Sequence, residues 1–333
     1  MKACVTGATG FLGSHLVETL LERGDEVTCL VRSPAKAHRV FTHRQPKLVA
    51  GDLNNPTALR AACRDADVVF HIAGTIAGRN RAEFAVNTEG TRGAITAARE
   101  VAPNLRRFVY LSSLAAAGPS VKGRARVEDD PPAPISAYGE SKLAGEEIAT
   151  SSGLPWTIIR PPGVYGPRDI EFLRLFKFAA KGFGTVFGKG DQELSFIHVR
   201  DLVTALLAVA DHDVAGRTFF VSHPEIVSAR EFTRAVHTAV CSSVVTETQR
   251  ARRLRIIAIP PWAVRPALRS SGFITRLFGK STVLTADKAN DFLAAGWTCS
   301  PEALQRETGW RAEIALRQGT QETAQWYRAN GWL

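Results

Sequence analysis

The stretch KACVTGATGFLGSHLVETLLERGDEVTCLVRS, residues 2–33, decides the fold. Ala3–Val5 is a short apolar run that predicts a buried strand. The glycines at 7, 10 and 13 follow it as G-x-x-G-x-x-G. Leu12, Leu16, Leu20 and Leu21 then recur at helical spacing, and EVTCLV (26–31) predicts a second strand. Glycine permits a tight turn and lets a pyrophosphate approach the backbone. The first turn of the next helix offers N–H groups to phosphate oxygens. A glycine triplet carries this meaning only between a strand and a helix, which is its place here. Gly7, Gly10, Phe11, Leu12 and Gly13 are therefore read as a dinucleotide-binding turn.

The pattern continues. The second strand runs into Val31-Arg32-Ser33, without the acid that would hold the ribose 2′-OH of NAD. Arg32 could pair with a 2′-phosphate, so NADP is favoured over NAD; the alternative for Arg32, stacking on adenine, would suit either. PKLVAGDLNN predicts a third strand ending at Gly51-Asp52-Leu53, where the Asp52 carboxylate can accept from the adenine amino group. ADVVFHIAG (66–74) predicts a fourth, whose small Ala73 and Gly74 leave room for a cofactor. VNTEGTRGAITAARE is a helix, and RRFVYLSSLAAAG a fifth strand ending at Ser112-Ser113. Strands alternating with helices give an α/β fold with a doubly wound parallel sheet. Ligands of such sheets lie at the carboxyl ends of the strands, where Asp52, Ala73 and Ser113 all stand.

SAYGESKLAGEE, residues 136–147, places Tyr138 and Lys142 four apart at the start of a predicted helix, with Ser136 as cap. Residues i and i+4 share a helix face. A free phenol titrates at about 10 and is a poor base at neutral pH. A nearby ammonium favours the phenolate, which would tune Tyr138 towards acid/base work. The alternative is an ordinary surface pair, and the motif alone does not decide between them.

The 333 residues, 45% hydrophobic, suffice for one large domain or two fused lobes. There is no apolar run of roughly 18 residues, so no membrane span is expected. MKACVTGATG leads directly into the strand pattern and lacks the features of a signal peptide. The five cysteines (4, 29, 63, 241, 299) are scattered and form no C-x-x-C. The expectation is a cytoplasmic chain without disulfides or a structural metal. A net charge of +10 raises the question of nucleic acid. The excess is local, however: from Thr248 to Ala286 there are eight basic residues and no acidic one. No nucleic-acid partner is expected.

Taken in order, TGATGFLG, GDL, HIAG, VNTEGT, YLSSLAAAG, YGESK, RPPGVYGPRD and FIHVRDL resemble the extended short-chain dehydrogenase/reductases. That superfamily includes nucleotide-sugar epimerases and dehydratases, 3β-hydroxysteroid dehydrogenases and dihydroflavonol reductases. The resemblance covers nearly the whole chain. It implies a Rossmann sheet with a smaller C-terminal α/β substrate lobe, and a homodimer formed through two helices, one carrying Tyr138. It makes Tyr138 the catalytic acid/base. Lys142 lowers its pKa and holds the nicotinamide ribose. Ser113 hydrogen-bonds the reacting oxygen, with Ser112 as the adjacent fallback. Asn87 braces the site, its alternative being a helix-surface residue. Pro161 and Pro162 pass the nicotinamide, and Asp52 with Leu53 contact adenine. His71 matches a structural position.

Departures narrow the reaction. Dehydratases carry Asp-Glu after the Ser/Thr, because water elimination needs a second acid and base; here Leu114-Ala115 follow Ser113. V-Y-G is replaced by Ala116-Ala117-Gly118. Many nucleotide-sugar enzymes bind the diphosphate with an Arg where this chain has Leu194 or Ser195. The implied activity is hydride transfer at a secondary alcohol or ketone. A reductase of an alcohol or ketone is favoured over a nucleotide-sugar 4-epimerase that retains NAD. A non-catalytic cofactor-sensing protein is the third reading, against which both Tyr138 and Lys142 are intact.

Residues 1–160, with later elements from about 196–222, are expected to hold the cofactor, and 161–333 mainly the substrate. Within the latter, 248–286 alternates basic and apolar residues, broken by Pro260, Pro261 and Pro266. Three readings compete: a solvated loop-and-helix region, a lid presenting Arg to phosphate, and a peripheral contact with an anionic membrane.

Overall fold

The computed structural model describes residues 1–78, 81–243, 253–264, 266 and 289–333. The first lobe alternates β1 (Lys2–Thr6), α1 (Phe11–Glu22), β2 (Glu26–Val31), α2 (Pro34–Val40), β3 (Lys47–Ala50), α3 (Pro56–Cys63), β4 (Val68–His71), α4 (Ala85–Val101), β5 (Arg107–Leu111), α5 (Leu114–Ala117), α6 (Ala137–Thr150) and β6 (Trp156–Arg160). These strands and a later one, β10 (Arg217–Phe220), form a seven-stranded parallel sheet in the order β3-β2-β1-β4-β5-β6-β10. All of its pairings are parallel. The strands are short, nearly continuous apolar runs because both faces are covered. Leu12, Leu16 and Leu20 of α1 share one core with Leu202, Leu206 and Val209 of α8 (Val199–Asp211). Leu59, Ala94, Ile95, Ala98 and Ala149, from α3, α4 and α6, fill the other face.

Strand order reverses between β1 and β4, so their carboxyl ends open onto a crevice. Gly7 follows β1, Ala73 and Gly74 follow β4, and Ser112 and Ser113 follow β5.

The remaining elements interleave. β7 (Gly163–Tyr165), β9 (Glu193–His198), β11 (Ile226–Ser228) and β13 (Gly296–Trp297) make a small sheet centred on β9. β8 (Phe183–Phe187) pairs in parallel with β12 (Arg255–Ile259). α7 (Leu173–Ala180), α9 (Ala229–Ser242) and the helix Leu316–Ala329 pack around an aromatic core. There Phe196 and Phe232 stack with ring centres 4.0 Å apart. Tyr327 ties the last helix back by donating to the Asp169 carbonyl at 2.6 Å.

Of the basic segment 248–286, residues 248–252, 265 and 267–286 lie outside the described residues. Its described part contains a strand, Arg255–Ile259, where the run Arg-Ile-Ile-Ala-Ile carries the β-branched residues that suit a pleated surface. Among the described residues no helix is long and apolar enough to cross a membrane.

Candidate active site

The glycine turn is built on close backbone approach. Gly7 has φ +74°, the left-handed region that favours glycine. A Cβ on Gly7 would stand 2.7 Å from the Ala73 amide nitrogen, and one on Gly13 would stand 2.2 Å from the Gly7 carbonyl oxygen. Both obstacles are backbone, so neither position can hold a side chain without moving the turn. Gly10 caps α1 without a side chain, and no side-chain oxygen occupies the first-turn amides. The Gly7–Gly13 cradle and the uncapped helix start fit a dinucleotide pyrophosphate. Arg32 is exposed just past the end of β2, held in no ion pair among the described residues. Asp52 is exposed beyond β3, its Oδ1 accepting from the Asn54 amide at 2.9 Å. Leu53 packs against Gly90 of α4, where a Cβ would lie 2.5 Å from the Leu53 Cδ1.

β5 and α6 meet at Tyr138. Ser136 caps α6 as its position predicts, its hydroxyl accepting from the Gly139 amide. Tyr138 is half-buried, with its ring 6.1 Å from Phe84. The Ser113 hydroxyl hydrogen-bonds the Tyr138 phenol and also caps α5 by accepting from the Ala115 amide at 3.2 Å. Ser112 points the other way: its buried hydroxyl donates to Glu146. Of the two serines, Ser113 is the one that reaches Tyr138. Pro161 and Pro162 follow β6, and the Pro161 carbonyl accepts from the Leu114 amide at 2.8 Å, tying that turn to the serine end of β5.

Lys142 is buried one turn on. Its ammonium donates to the Leu111 carbonyl at 2.5 Å and lies 4.4 Å above the centre of the Tyr110 ring. Burial pulls Lys142 down to about 7, partly opposed by the Glu146 carboxylate one turn further along α6. The sequence expectation that Lys142 depresses Tyr138 is corrected here. Burial dominates and pushes the phenol up to about 12, and the opposing pull comes from the Ser113 hydroxyl. Helical spacing predicts which side chains share a face; it does not predict how much water each one loses.

Asn87 is buried, not a helix-surface residue. It holds the loop after β4 to α6: its Oδ1 accepts from the Thr75 amide at 2.7 Å, and its Nδ2 donates to the Thr75 carbonyl and the Ser141 hydroxyl, both at 3.0 Å. A Cβ on Gly74 would be 3.0 Å from the Asn87 Oδ1 and 3.8 Å from the Lys142 Nζ, so that glycine also keeps the site open. His71 is fully buried between Thr6 (2.9 Å) and Thr91 (3.2 Å), and burial lowers it to about 3.

Two groups escaped sequence reasoning. Glu146 is bracketed by Ser112 and by Arg160, whose Nε and Nη2 donate to its two oxygens at 2.9 and 2.6 Å. Its signal was the spacing of four from Lys142. Asp291, on the short helix Ala289–Leu293, brings a carboxylate whose field opposes ionisation of Tyr138. No local pattern marks it.

A model of the NAD dependent epimerase/dehydratase family matches residues 3–222. The chain belongs to that family, and so to the extended short-chain dehydrogenase/reductases, and is an NAD(P)-dependent enzyme of that class. It is 31% identical to the ceramide reductase of Caulobacter vibrioides over 334 residues, 99% of this chain and 95% of that one. It is 30% identical to a 3-beta-hydroxysteroid dehydrogenase of Mycolicibacterium neoaurum over 290 residues, 78% and 76% of the two chains. Its fold is similar to that of MoeE5, solved in complex with UDP-glucose and NAD, with a TM-score of 0.77 and 24% identity over 99% of each chain.

Proposed function

We propose that the chain is an NADP-linked oxidoreductase that interconverts a ketone and a secondary alcohol on a long-chain or polycyclic apolar substrate. The observation that carries this reading is the Tyr138 phenol bonded to Ser113 beside buried Lys142. When bound, the dinucleotide would supply or accept the hydride. The chain's residues do the rest. Gly7, Gly10, Phe11, Leu12 and Gly13 hold the pyrophosphate, Asp52 and Leu53 the adenine end, and Ala73, Gly74, Asn87, Pro161 and Pro162 the nicotinamide end. Residues 1–160, with 196–222, form the cofactor lobe and 161–333 mainly the substrate lobe. Ser113 orients the substrate oxygen while Tyr138 passes it a proton, and Lys142 stabilises charge developing there. A phenol held near 12 is protonated at neutral pH, which suits donation to the oxygen of a ketone being reduced.

Two of the relatives are named for lipid substrates, ceramide and a 3-hydroxysteroid. Leu114 and Ala115 stand where dehydratases have their acid and base. Leu194 or Ser195 stands at the position of the diphosphate-binding Arg, and Ser195 is buried and accepts from the Cys299 amide at 3.2 Å. A nucleotide-sugar 4-epimerase retaining NAD is the second reading, favoured by the likeness to a fold solved with UDP-glucose and NAD. A homodimer in the cytoplasm completes the reading.

The test is a substrate panel with both cofactors: a long-chain N-acyl amino ketone, a 3-ketosteroid and UDP-glucose. Oxidation of NADPH on one of the apolar ketones is expected. Stoichiometric NAD surviving purification, with epimerisation of UDP-glucose, would overturn the reading. Arg32 supplies a separate check. With its guanidinium free to meet a 2′-phosphate, Arg32→Ala should weaken NADPH binding about ten- to a hundredfold and leave NADH nearly unchanged. Equal losses for both cofactors would assign Arg32 to adenine stacking instead.

A further inference from the structure

The pair β8–β12 has one covered face and one open one. Gly184 and Val186 of β8 are buried towards α9, where a Cβ on Gly184 would lie 2.3 Å from the Thr233 Cγ2. Side chains alternate along a strand, so Phe183, Thr185 and Phe187 point the other way. The parallel register sets Arg255 beside Phe183, Ile257 beside Thr185 and Ile259 beside Phe187. At the far end this outer face is closed: Phe187 and Ile259 pack with Val264, Ala289 and Phe292. At the near end it is open. Phe183 is 37% exposed, Ile257 49% and Phe178 of α7 46%, with the Phe178 and Phe183 rings 6.3 Å apart; beyond the closed end, three residues after Ile259, Trp262 is 79% exposed.

Cations frame these apolar side chains. Lys177 and Lys181 come from α7 and its last turn, Arg253 and Arg255 from the start of β12, and all four are exposed. None forms an ion pair with any described residue. The usual fate of four surface cations is pairing or dilution among acids. Here they rim an aromatic patch, the arrangement by which a protein surface seats on anionic headgroups while its rings enter the acyl boundary.

The closed end of the face packs against the short helix that carries Asp291. Phe292 packs on Phe187 with the rings tilted by 32° and their centres 4.6 Å apart. The preceding residue, Asp291, is the carboxylate felt by Tyr138.

We propose that Phe178, Phe183, Ile257 and Trp262, with Lys177, Lys181, Arg253 and Arg255, form a docking surface for an anionic lipid bilayer that holds the apolar substrate. The purpose of the surface rests on the apolar-substrate reading above; its binding does not.

Flotation with vesicles of phosphatidylcholine alone, and of phosphatidylcholine with phosphatidylglycerol, tests it on the full chain. Binding to the anionic vesicles only, weakened by salt, is expected. Each surface cation contributes roughly fivefold in partitioning, so changing all four to Gln should cost at least a hundredfold. Trp262→Ser should cost about tenfold. Both variants should keep the wild-type unfolding midpoint and NADPH titration, because every changed side chain is exposed. Equal binding to neutral vesicles, no binding at all, or full binding by the four-Gln variant would overturn the proposal. So would a self-association lost in Trp262→Ser without vesicle binding, which would make the face an interface between copies. If vesicles bind but no apolar ketone is reduced, the surface stands and the substrate reading falls. If such ketones are reduced in detergent and vesicles do not bind, the reverse holds.

Discussion

Tyr138→Phe is expected to lower turnover by about 10²–10⁴-fold, the range lost when a positioned proton donor is removed. The ring stays, with its packing against Phe84, and only the hydroxyl bonded to Ser113 goes. The unfolding midpoint and the dinucleotide titration should therefore barely move. The pH dependence adds a second readout. The phenol is held up near 12 by burial, so its protonated form persists through neutral pH. Ketone reduction uses that form, so Tyr138 itself imposes no loss of rate from pH 6 to 9, and any alkaline fall in reduction belongs to Lys142. Alcohol oxidation uses the phenolate, whose fraction grows about tenfold per pH unit below the pKa, and should rise across the same window. Steady-state rates in both directions over this range would show it. Full turnover in Tyr138→Phe, or an oxidation rate that falls with rising pH, would remove Tyr138 from the proton path.

The second large effect lies behind the site. Glu146 and Arg160 form a buried, two-pronged ion pair, with Ser112 donating to the same carboxylate. Glu146→Gln leaves the Arg160 guanidinium buried without its counter-charge, a loss of about 3–5 kcal/mol. The unfolding midpoint should fall on the order of 10 °C. Replacing both partners with apolar residues of similar volume should recover most of it. Chemistry should change in the same variant. The Glu146 carboxylate raises Lys142, which burial pulls down to about 7. Without that carboxylate the ammonium loses its proton at lower pH, so any alkaline limb set by Lys142 moves towards acid. A Glu146→Gln protein with wild-type stability and an unmoved profile would show that the pair is neither structural nor coupled to Lys142.

The parts of this molecule that could be read from the chain are those carried by local spacing. Residues 2–33 announce strand, glycine turn, helix and strand because apolar periodicity and glycine are local signals, and β2 is found at Glu26–Val31. Tyr138, Lys142 and the Ser136 cap were legible for the same reason. The Glu146–Arg160 pair was not, because Arg160 ends a strand that the sequence ties to nothing on α6. Asp291 reaches Tyr138 from far along the chain and belongs to no motif. The sign of the Tyr138 shift was missed because desolvation is a property of the packed site and leaves no trace in residue order.

The strand order has a consequence for the chain while it is being made. β6, with Thr157, Ile158 and Ile159 all buried, stands beside β5 and waits for its other neighbour, β10. Residues 161–216, including the first part of the second lobe, must leave the ribosome first. At about 5–20 residues per second, the nascent sheet presents an unpaired apolar edge for several seconds. During that interval the chain is open to edge-to-edge association with other nascent copies.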